Sequence, residues 1–394
     1  MKICLVSQEY PDELIGGIGS YTAGMAKALV ESGHVVHVLS RSMDKEQTYF
    51  DGNVLVHKIL PKPLCYAFVR RYLGNIVYSA YVAYYLYKLI NKYDIQSVEV
   101  PEFAAEGFIY SIVPFKRVPL IVRLHTPLKI VEKINGTKHS WLGHAYISLL
   151  NWMERVSIIR AEAVTSPSKA LADVCRRELR LGSLQIHVFP NPVNTEYFAP
   201  NRIIKREREV DKTVLYVGQL GIRKGVEVFR EIIPDILKSH PDANFVFAGA
   251  DQGYNKDRSM QDYIVEALTD AQKRRIIFLG KIPWQDLRNL YCSARVCVFP
   301  SKFENFPQVC LEAMSCGSLV IGSSLGGMVE IISDGVNGFI VEPSDTKKIS
   351  ERICHCLAHD LNFMRQAARS RVTESFSLSI VAHQAIEVIK RVVT

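Results

Sequence analysis

No run in this chain reaches the roughly 18 uncharged apolar residues that a membrane-spanning helix requires. The nearest, residues 64–92, "LCYAFVRRYLGNIVYSAYVAYYLYKLINK", is interrupted by Arg70, Arg71, Asn75 and Lys88. No positively charged leader precedes "MKICLVS", so a cytoplasmic location is expected. A disulfide framework is also missing. The nine cysteines are odd in number, scattered, and mostly inside apolar runs such as "ARVCVFP", a usage that suits a reducing compartment. Metal-ligand spacing is absent too: Cys354, His355 and Cys356 are consecutive on an expected helix, unlike the separated pairs of a zinc site. The sequon Asn135-Gly136-Thr137 carries little meaning without a secretory signal. With 48% apolar and 22% charged residues, the chain is neither disordered nor repetitive. Its formal net charge of +8 favours anionic company, whether phosphate, lipid headgroup or nucleic acid.

A length of 394 residues exceeds what one core usually serves, so two domains are expected. Short β-branched runs, "KICLVS", "HVVHVLS", "SVEV", "LIVRL", "EAVTS" and "IHVFP", alternate with helical segments such as 20–32 and 145–161. The pattern restarts at "TVLYVG" and continues through "NFVFAGA", "IIFLG", "VCVFPS" and "LVIGSS". Strand and helix in alternation predict parallel sheets covered on both faces. The charged run 201–212, "NRIIKREREVDK", has no apolar face and is the expected linker. The fold class is therefore α/β, with two doubly wound, Rossmann-like domains facing a cleft: 1–200 and 213–375. Residues 376–394, with Ile380, Ala385, Ile386 and Ile389 at helical spacing, are expected to cross back onto the first domain.

After the first strand, "GGIGSYTAGMAKAL" resembles a dinucleotide fingerprint, but Thr22 and the strand end Leu39-Ser40-Arg41 lack its third small residue and its acid. What remains is Gly16, Gly17 and Gly19, which allow close approach of a ligand to a helix N-terminus, or simply a tight turn. The second half's first loop, "VGQLGIRKGV", puts Arg223 and Lys224 before an expected helix over 224–239. Such cations suit a diphosphate, with solvated surface charges as the plainer alternative. "FAGADQG" adds small residues at the next strand's end.

"FENFPQVCLEAMSCGSLVIGSS" places Glu304 and Glu312 among apolar residues, where carboxylates need partners. Pro307 marks the start of a helix over 308–316, which leaves Glu304 in the preceding loop and Glu312 inside the helix. A ribose diol would suit Glu312, and the backbone N–H groups of Phe306, Gln308 and Val309 would suit a phosphate beside Glu304. Bonds from both glutamates to nearby backbone are the alternative.

Taken together, "GGIGSY", "RLHTP" at 123–127, "FPNPVNTEYF" at 189–198, "VGQLGIRKGV", and the block from Pro300 to Asp345 with its E-x7-E make the whole chain resemble a glycosyltransferase of family 4, with GT-B architecture. The resemblance implies retaining transfer of a hexose from a nucleotide diphosphate sugar to an acceptor hydroxyl, without a metal. It implies that Glu304, His125 and Lys224 act at the reacting centre. Gly17, Arg223, Lys224, Glu304, Phe306, Gln308, Val309 and Glu312 would bind the donor, and Gly16 and Gly19 the acceptor. One position departs: Gln219 stands where the family usually carries arginine, with Arg223 as a neighbouring source of charge. "ENFP" also replaces a glycine-rich form.

UDP-glucose is the expected donor and GDP-mannose the next. A glycan or lipid-linked acceptor is expected, and no nucleic acid. The alternatives are another GT-B enzyme, such as a sugar-nucleotide epimerase, and a non-catalytic nucleotide-binding member. Tyr72, Tyr78, Tyr81, Tyr84, Tyr85 and Tyr87, next to Arg70 and Arg71, form either an ordinary packed helix or an interfacial one on an anionic membrane surface.

Overall fold

The computed structural model describes residues 1–10, 16–61, 67–114, 118–136, 139–201 and 212–393. The expected linker, apart from its two end residues, lies outside the described residues, as do the side chains of Arg70 and Arg71 and the sequon's Thr137. The chain forms two compact units, one of Met1–Pro192 with Leu378–Thr394 and the other of Val193–Ser377.

In the first unit the strands are β1 (Lys2–Ser7), β2 (Val35–Arg41), β3 (Gln47–Asp51), β4 (Val54–Ile59), β5 (Ser97–Pro101), β6 (Leu120–Arg123), β7 (Ala163–Ser166) and β8 (Ile186–Val188). They lie in the order β3-β4-β2-β1-β5-β6-β7-β8. All neighbours pair in parallel except the edge pair β3–β4. The second unit has β9 (Thr213–Val217), β10 (Asn244–Ala248), β11 (Ile276–Gly280), β12 (Val296–Phe299), β13 (Leu319–Ser323) and β14 (Phe339–Val341), in the order β11-β10-β9-β12-β13-β14 and parallel throughout. Central strands such as β9 and β13 are buried along their whole length because helices cover both faces, which explains their unbroken apolar runs. The hairpin β3–β4 was not expected. "QTYFD" is polar and mostly exposed at the sheet edge, so it lacks the apolar alternation that marks a strand.

The helix expected over 224–239 starts later, at Phe229, after two short 3-10 turns. Gly225 between them is left-handed (φ 69°), and a Cβ there would stand 1.8 Å from the Pro300 carbonyl oxygen. The backbone packs too closely at that point for a continuous helix. Residues 193–200 group with the second unit rather than with the expected 1–200 domain. Val193 donates to the Phe376 carbonyl at 2.9 Å, and Arg369 donates to the carbonyls of Thr195 and Phe198, each at 2.8 Å. The C-terminal helix Leu378–Val393 belongs to the first unit and packs Val381, Ala385 and Ile389 against Tyr21, Met25 and Leu29 of the helix Gly17–Glu31. Ile380, expected on its buried stripe, is exposed. Among the described residues no helix is long and apolar enough to cross a membrane.

Candidate functional site

Strand order locates the candidate site of the second unit. β9 and β12 are neighbours, and the chain leaves them toward opposite edges of the sheet, so the loops at their carboxyl ends diverge and open a crevice. The β9 loop carries Arg223 and Lys224, and the β12 loop carries Glu304. Lys224 Nζ is ion-paired with Glu304 Oε1, and Arg223 Nη1 stands 3.9 Å from the same oxygen. Backbone fixes the pair in place. Lys302 N–H donates to the Arg223 carbonyl at 3.0 Å, and Gly327 N–H to the Glu304 carbonyl at 2.7 Å. Gly326 (φ 87°) has to be glycine, because a Cβ would lie 2.1 Å from that carbonyl oxygen. Burial pushes the Glu304 carboxyl up, but Lys224 and Arg223 outweigh it and hold the group below its ordinary value. Glu304 is thus an anion that orients a lysine.

Glu312 lies in the helix Gln308–Ser315, with Pro307 at its N-cap position. It is buried, and the Tyr291 hydroxyl donates to its Oε2 at 2.8 Å. Burial pushes this carboxyl up to about 7, against the opposing pull of the Tyr291 and Trp284 side chains. The protein therefore already gives Glu312 a donor, and its burial alone does not demand a diol. Phe306 was expected to act through its backbone N–H. Its ring is core and meets Phe376 edge-on at 5.3 Å. Gln308 and Val309 open the helix, in the turn where N–H groups lack an acceptor within the helix. In "FAGADQG" the small residue serves the chain itself, since a Cβ on Gly249 would lie 1.8 Å from the Gly218 carbonyl oxygen. Asp251 there accepts the N–H groups of Gly253, Met260 and Gln261.

In the first unit Gly16 is the N-cap residue of the helix Gly17–Glu31, and its N–H donates to Glu9 Oε2. A Cβ on Gly16 would meet that oxygen at 2.7 Å, and one on Gly19 would meet the Glu9 Cβ at 3.0 Å. A Cβ on Gly17 would meet nothing within 4 Å. Two of the three glycines thus have an internal packing reason, and Gly17 has none. His125 follows β6 and is buried, with its ring edge-on to Tyr21 at 5.2 Å. Burial, aided by Arg123, lowers its pKa to about 3, so the imidazole is neutral at physiological pH.

Sequence reasoning missed what holds this loop. Glu102 accepts the His125 N–H on both oxygens at 2.8 Å. Glu154 accepts the N–H groups of Ala104 and Leu128 at 2.9 and 3.0 Å. Glu154 could have been found by the rule that singled out Glu304 and Glu312, because "LLNWMERV" also buries a carboxylate in an apolar run. Tyr291, which is 21 residues from its partner, left no local signal.

Two doubly wound sheets, one of them with a lysine and a carboxylate at its crevice, define a GT-B architecture. The chain belongs to glycosyltransferase family 4: residues 15–197 match the family described under that name, and residues 211–359 match the group 1 glycosyl transferases. It is 27% identical to an uncharacterised glycosyltransferase of Methanocaldococcus jannaschii, over 99% of this chain and 98% of that one. Among solved structures, the sucrose-phosphate synthase of Thermosynechococcus elongatus superposes with a TM-score of 0.80 at 22% identity, covering 99% and 98% of the two chains. The HepE protein of Anabaena, solved in complex with UDP-glucose, gives a TM-score of 0.69 at 19% identity, covering 99% and 100%.

Proposed function

We propose that this glycosyltransferase takes a hexose from a nucleotide diphosphate sugar, UDP-glucose in the first place, and passes it with retention to a hydroxyl of a glycan or lipid-linked acceptor. The observation that carries this reading is the Lys224–Arg223–Glu304 cluster at the crevice of the second unit. Breaking the anomeric bond builds negative charge on the leaving diphosphate, so catalysis needs cations placed before that charge appears. Glu304 holds the Lys224 ammonium at the strand end through their ion pair. The ammonium has three donors, one of which Glu304 takes, and an arriving diphosphate can use the others. Arg223 adds a second cation where Gln219 supplies none. Glu304 also stands ready to stabilise positive charge developing on the sugar, with the leaving phosphate oxygen accepting the acceptor's proton. Glu312 binds the ribose hydroxyls in this reading, alongside its bond to Tyr291. The first N–H groups of the helix Gln308–Ser315 serve the phosphate.

In the first unit, the open backbone at Gly17 and the neutral His125 are the groups offered to substrate, and Gly16 and Gly19 shape the loop on the acceptor side. A neutral imidazole accepts or donates one hydrogen bond without adding charge, which suits sugar recognition better than proton abstraction. The superposable Anabaena protein's complex with UDP-glucose supports the choice of donor.

Thermal-shift screening against UDP-, GDP- and ADP-sugars tests the reading, since a ligand bound only by the folded state raises its melting temperature. UDP-glucose is expected to give the largest shift and to release UDP when a suitable acceptor is added. A larger shift with GDP-mannose would move the donor assignment. Absence of any shift with the whole panel, with Lys224→Ala behaving as wild type, would overturn it.

A further inference from the structure

The helix Trp141–Arg160 has two apolar faces. One buries Leu150, Met153 and Ile158 against the first unit. On the other, Trp141 is 76% exposed, Trp152 53%, Ile159 45% and Leu149 38%. At about 100° per residue, positions 141, 152 and 159 fall within about 20° of one line and 149 lies about 80° from it. The stripe runs about 30 Å, the length of a 20-residue helix. A helix that is apolar all round is normally covered all round, and an exposed patch of this kind marks an interaction surface.

Charge indicates what covers it. The helix carries Arg155 and Arg160, and its one acid, Glu154, is turned inward onto the N–H groups of Ala104 and Leu128. The adjoining helix Ala67–Tyr93, whose Tyr72 meets Tyr146 edge-on at 5.5 Å, contains lysines at 88 and 92 and no Asp or Glu. That neighbour is a packed helix, with Tyr78, Val82, Leu86 and Leu89 buried. Tyr84 and Tyr87 on the same helix are exposed, so that neighbour is packed on one face and meets the tryptophan-bearing helix through Tyr72.

We propose that the Trp141–Trp152–Ile159 face docks on an anionic lipid bilayer, lying in the plane of the headgroups. Indole is apolar in body with a donor at its edge, which favours that depth, and cations without exposed acids on the docking helix match anionic headgroups. A second copy of the chain fits less well, because the two faces would bring cations together with no acid between them. The inference bears on a lipid-linked acceptor but does not rest on the donor-site reading, because vesicle binding is measured with no nucleotide present.

The test is flotation of the full-length chain with vesicles of phosphatidylcholine and phosphatidylglycerol in equal parts, and with phosphatidylcholine alone. The wild type should float with the anionic vesicles, less so at high salt, and stay down with the neutral ones. The double variant Trp141→Glu/Trp152→Glu should lose about tenfold or more of its partitioning. Phe363→Glu, at an exposed site of the second unit, should float as wild type. Trp141→Glu alone, at the exposed first residue of the helix, should act in the same direction and guards against misfolding of the double variant. A wild type that stays down with anionic vesicles, or a double variant that floats with them unchanged, overturns the proposal. So does a concentration-dependent dimer that the double variant abolishes while vesicles bind nothing.

Discussion

In the first unit Glu99, Glu102, Glu106 and Glu154 are buried together, and Arg123 is the cation beside Glu99 and Glu102. In the second unit one carboxylate, Glu304, faces two cations. The two sheets share one kind of winding, and both clusters sit at or near the carboxyl ends of strands. Burial pushes Glu102 and Glu106 up to about 8 each, and Glu154 well above its ordinary value, while Lys224 and Arg223 bring Glu304 below its own. The first cluster can serve as a neutral acceptor of backbone N–H groups and hold a loop in shape. The second stays ionised and holds two cations at a strand end, where the proposed donor site lies. The difference is one of ratio: four buried carboxyls share Arg123 and Arg41 in the first cluster, whereas Glu304 alone has both Lys224 and Arg223 in the second.

Removing the cation should separate the two clusters most. Lys224→Ala should lower kcat/KM for nucleoside diphosphate release by about 10²–10³, because the developing leaving-group charge loses its main partner. It also leaves Glu304 with Arg223 alone, 3.9 Å away. Lys224→Ala combined with Glu304→Gln should therefore be more stable than Lys224→Ala alone, and this non-additivity is readable by calorimetry. If Lys224→Ala keeps nearly all activity, the second cluster is scaffold like the first.

Glu312 falls between the two types, since it is raised as in the first unit yet lies beside the crevice of the second. Tyr291→Phe removes its hydroxyl donor and should destabilise the fold by about 1–3 kcal/mol, with a modest effect on nucleotide affinity. Glu312→Ala should weaken nucleotide binding by about tenfold or more, measured by calorimetric titration. Equal effects of the two variants on nucleotide binding would place Glu312 with the scaffold.

The pH dependence of stability sharpens the contrast further. A carboxyl whose folded pKa is raised takes up a proton on folding, so its contribution is complete below its unfolded pKa and is lost as pH rises through the folded one. For Glu102 and Glu106 the loss runs from about 4.5 to about 8. Glu304 has the opposite sign: its contribution is present above its unfolded value and lost in acid. Histidines with lowered pKa, such as His57 and His125, add stability as pH rises, but only up to their unfolded value of 6.5. Between about 6.5 and 8 the buried carboxyls should therefore dominate, with the free energy of unfolding falling as pH rises by at most about 1.4 kcal/mol per pH unit for each group, and the melting temperature falling with it. Glu102→Gln should flatten this fall, and Glu304→Gln should leave it unchanged. A wild-type curve that is flat or rising in that window would contradict the assignment.

The sheets were legible in the sequence wherever a strand was buried on both faces, as "TVLYV" and "LVIGS" are, because an unbroken apolar run survives there. The edge hairpin and the three-residue β14 were not, since too few positions are buried to form a pattern. Glu304, Glu312, Arg223 and Lys224 stood out as charges in apolar or strand-end settings. Their pairing did not, because Lys224 meets Glu304 only after β9 and β12 become neighbours, and Tyr291 meets Glu312 only when the helices Trp284–Ser293 and Gln308–Ser315 pack together. The same limit hid the role of Glu9, which decides what Gly16 and Gly19 are for.

That last contact yields the smallest and most selective test. Gly19 is buried against Glu9, so Gly19→Ala must displace the Glu9 backbone or bend the helix start, and it should lower stability by about 1 kcal/mol whatever the substrate. Gly17 is the exposed first residue of the same helix, with open space where its Cβ would go. Gly17→Ala should leave the melting temperature unchanged or slightly raised, since alanine loses less conformational freedom on folding. If ligand backbone contact is what requires glycine there, the methyl group should nonetheless reduce affinity for the nucleotide sugar several-fold. Stability and affinity then move in different directions at two glycines two positions apart. If Gly17→Ala binds the nucleotide sugar as tightly as wild type, the loop is a turn only, and substrate handling at the first unit falls to His125 and the residues that hold it.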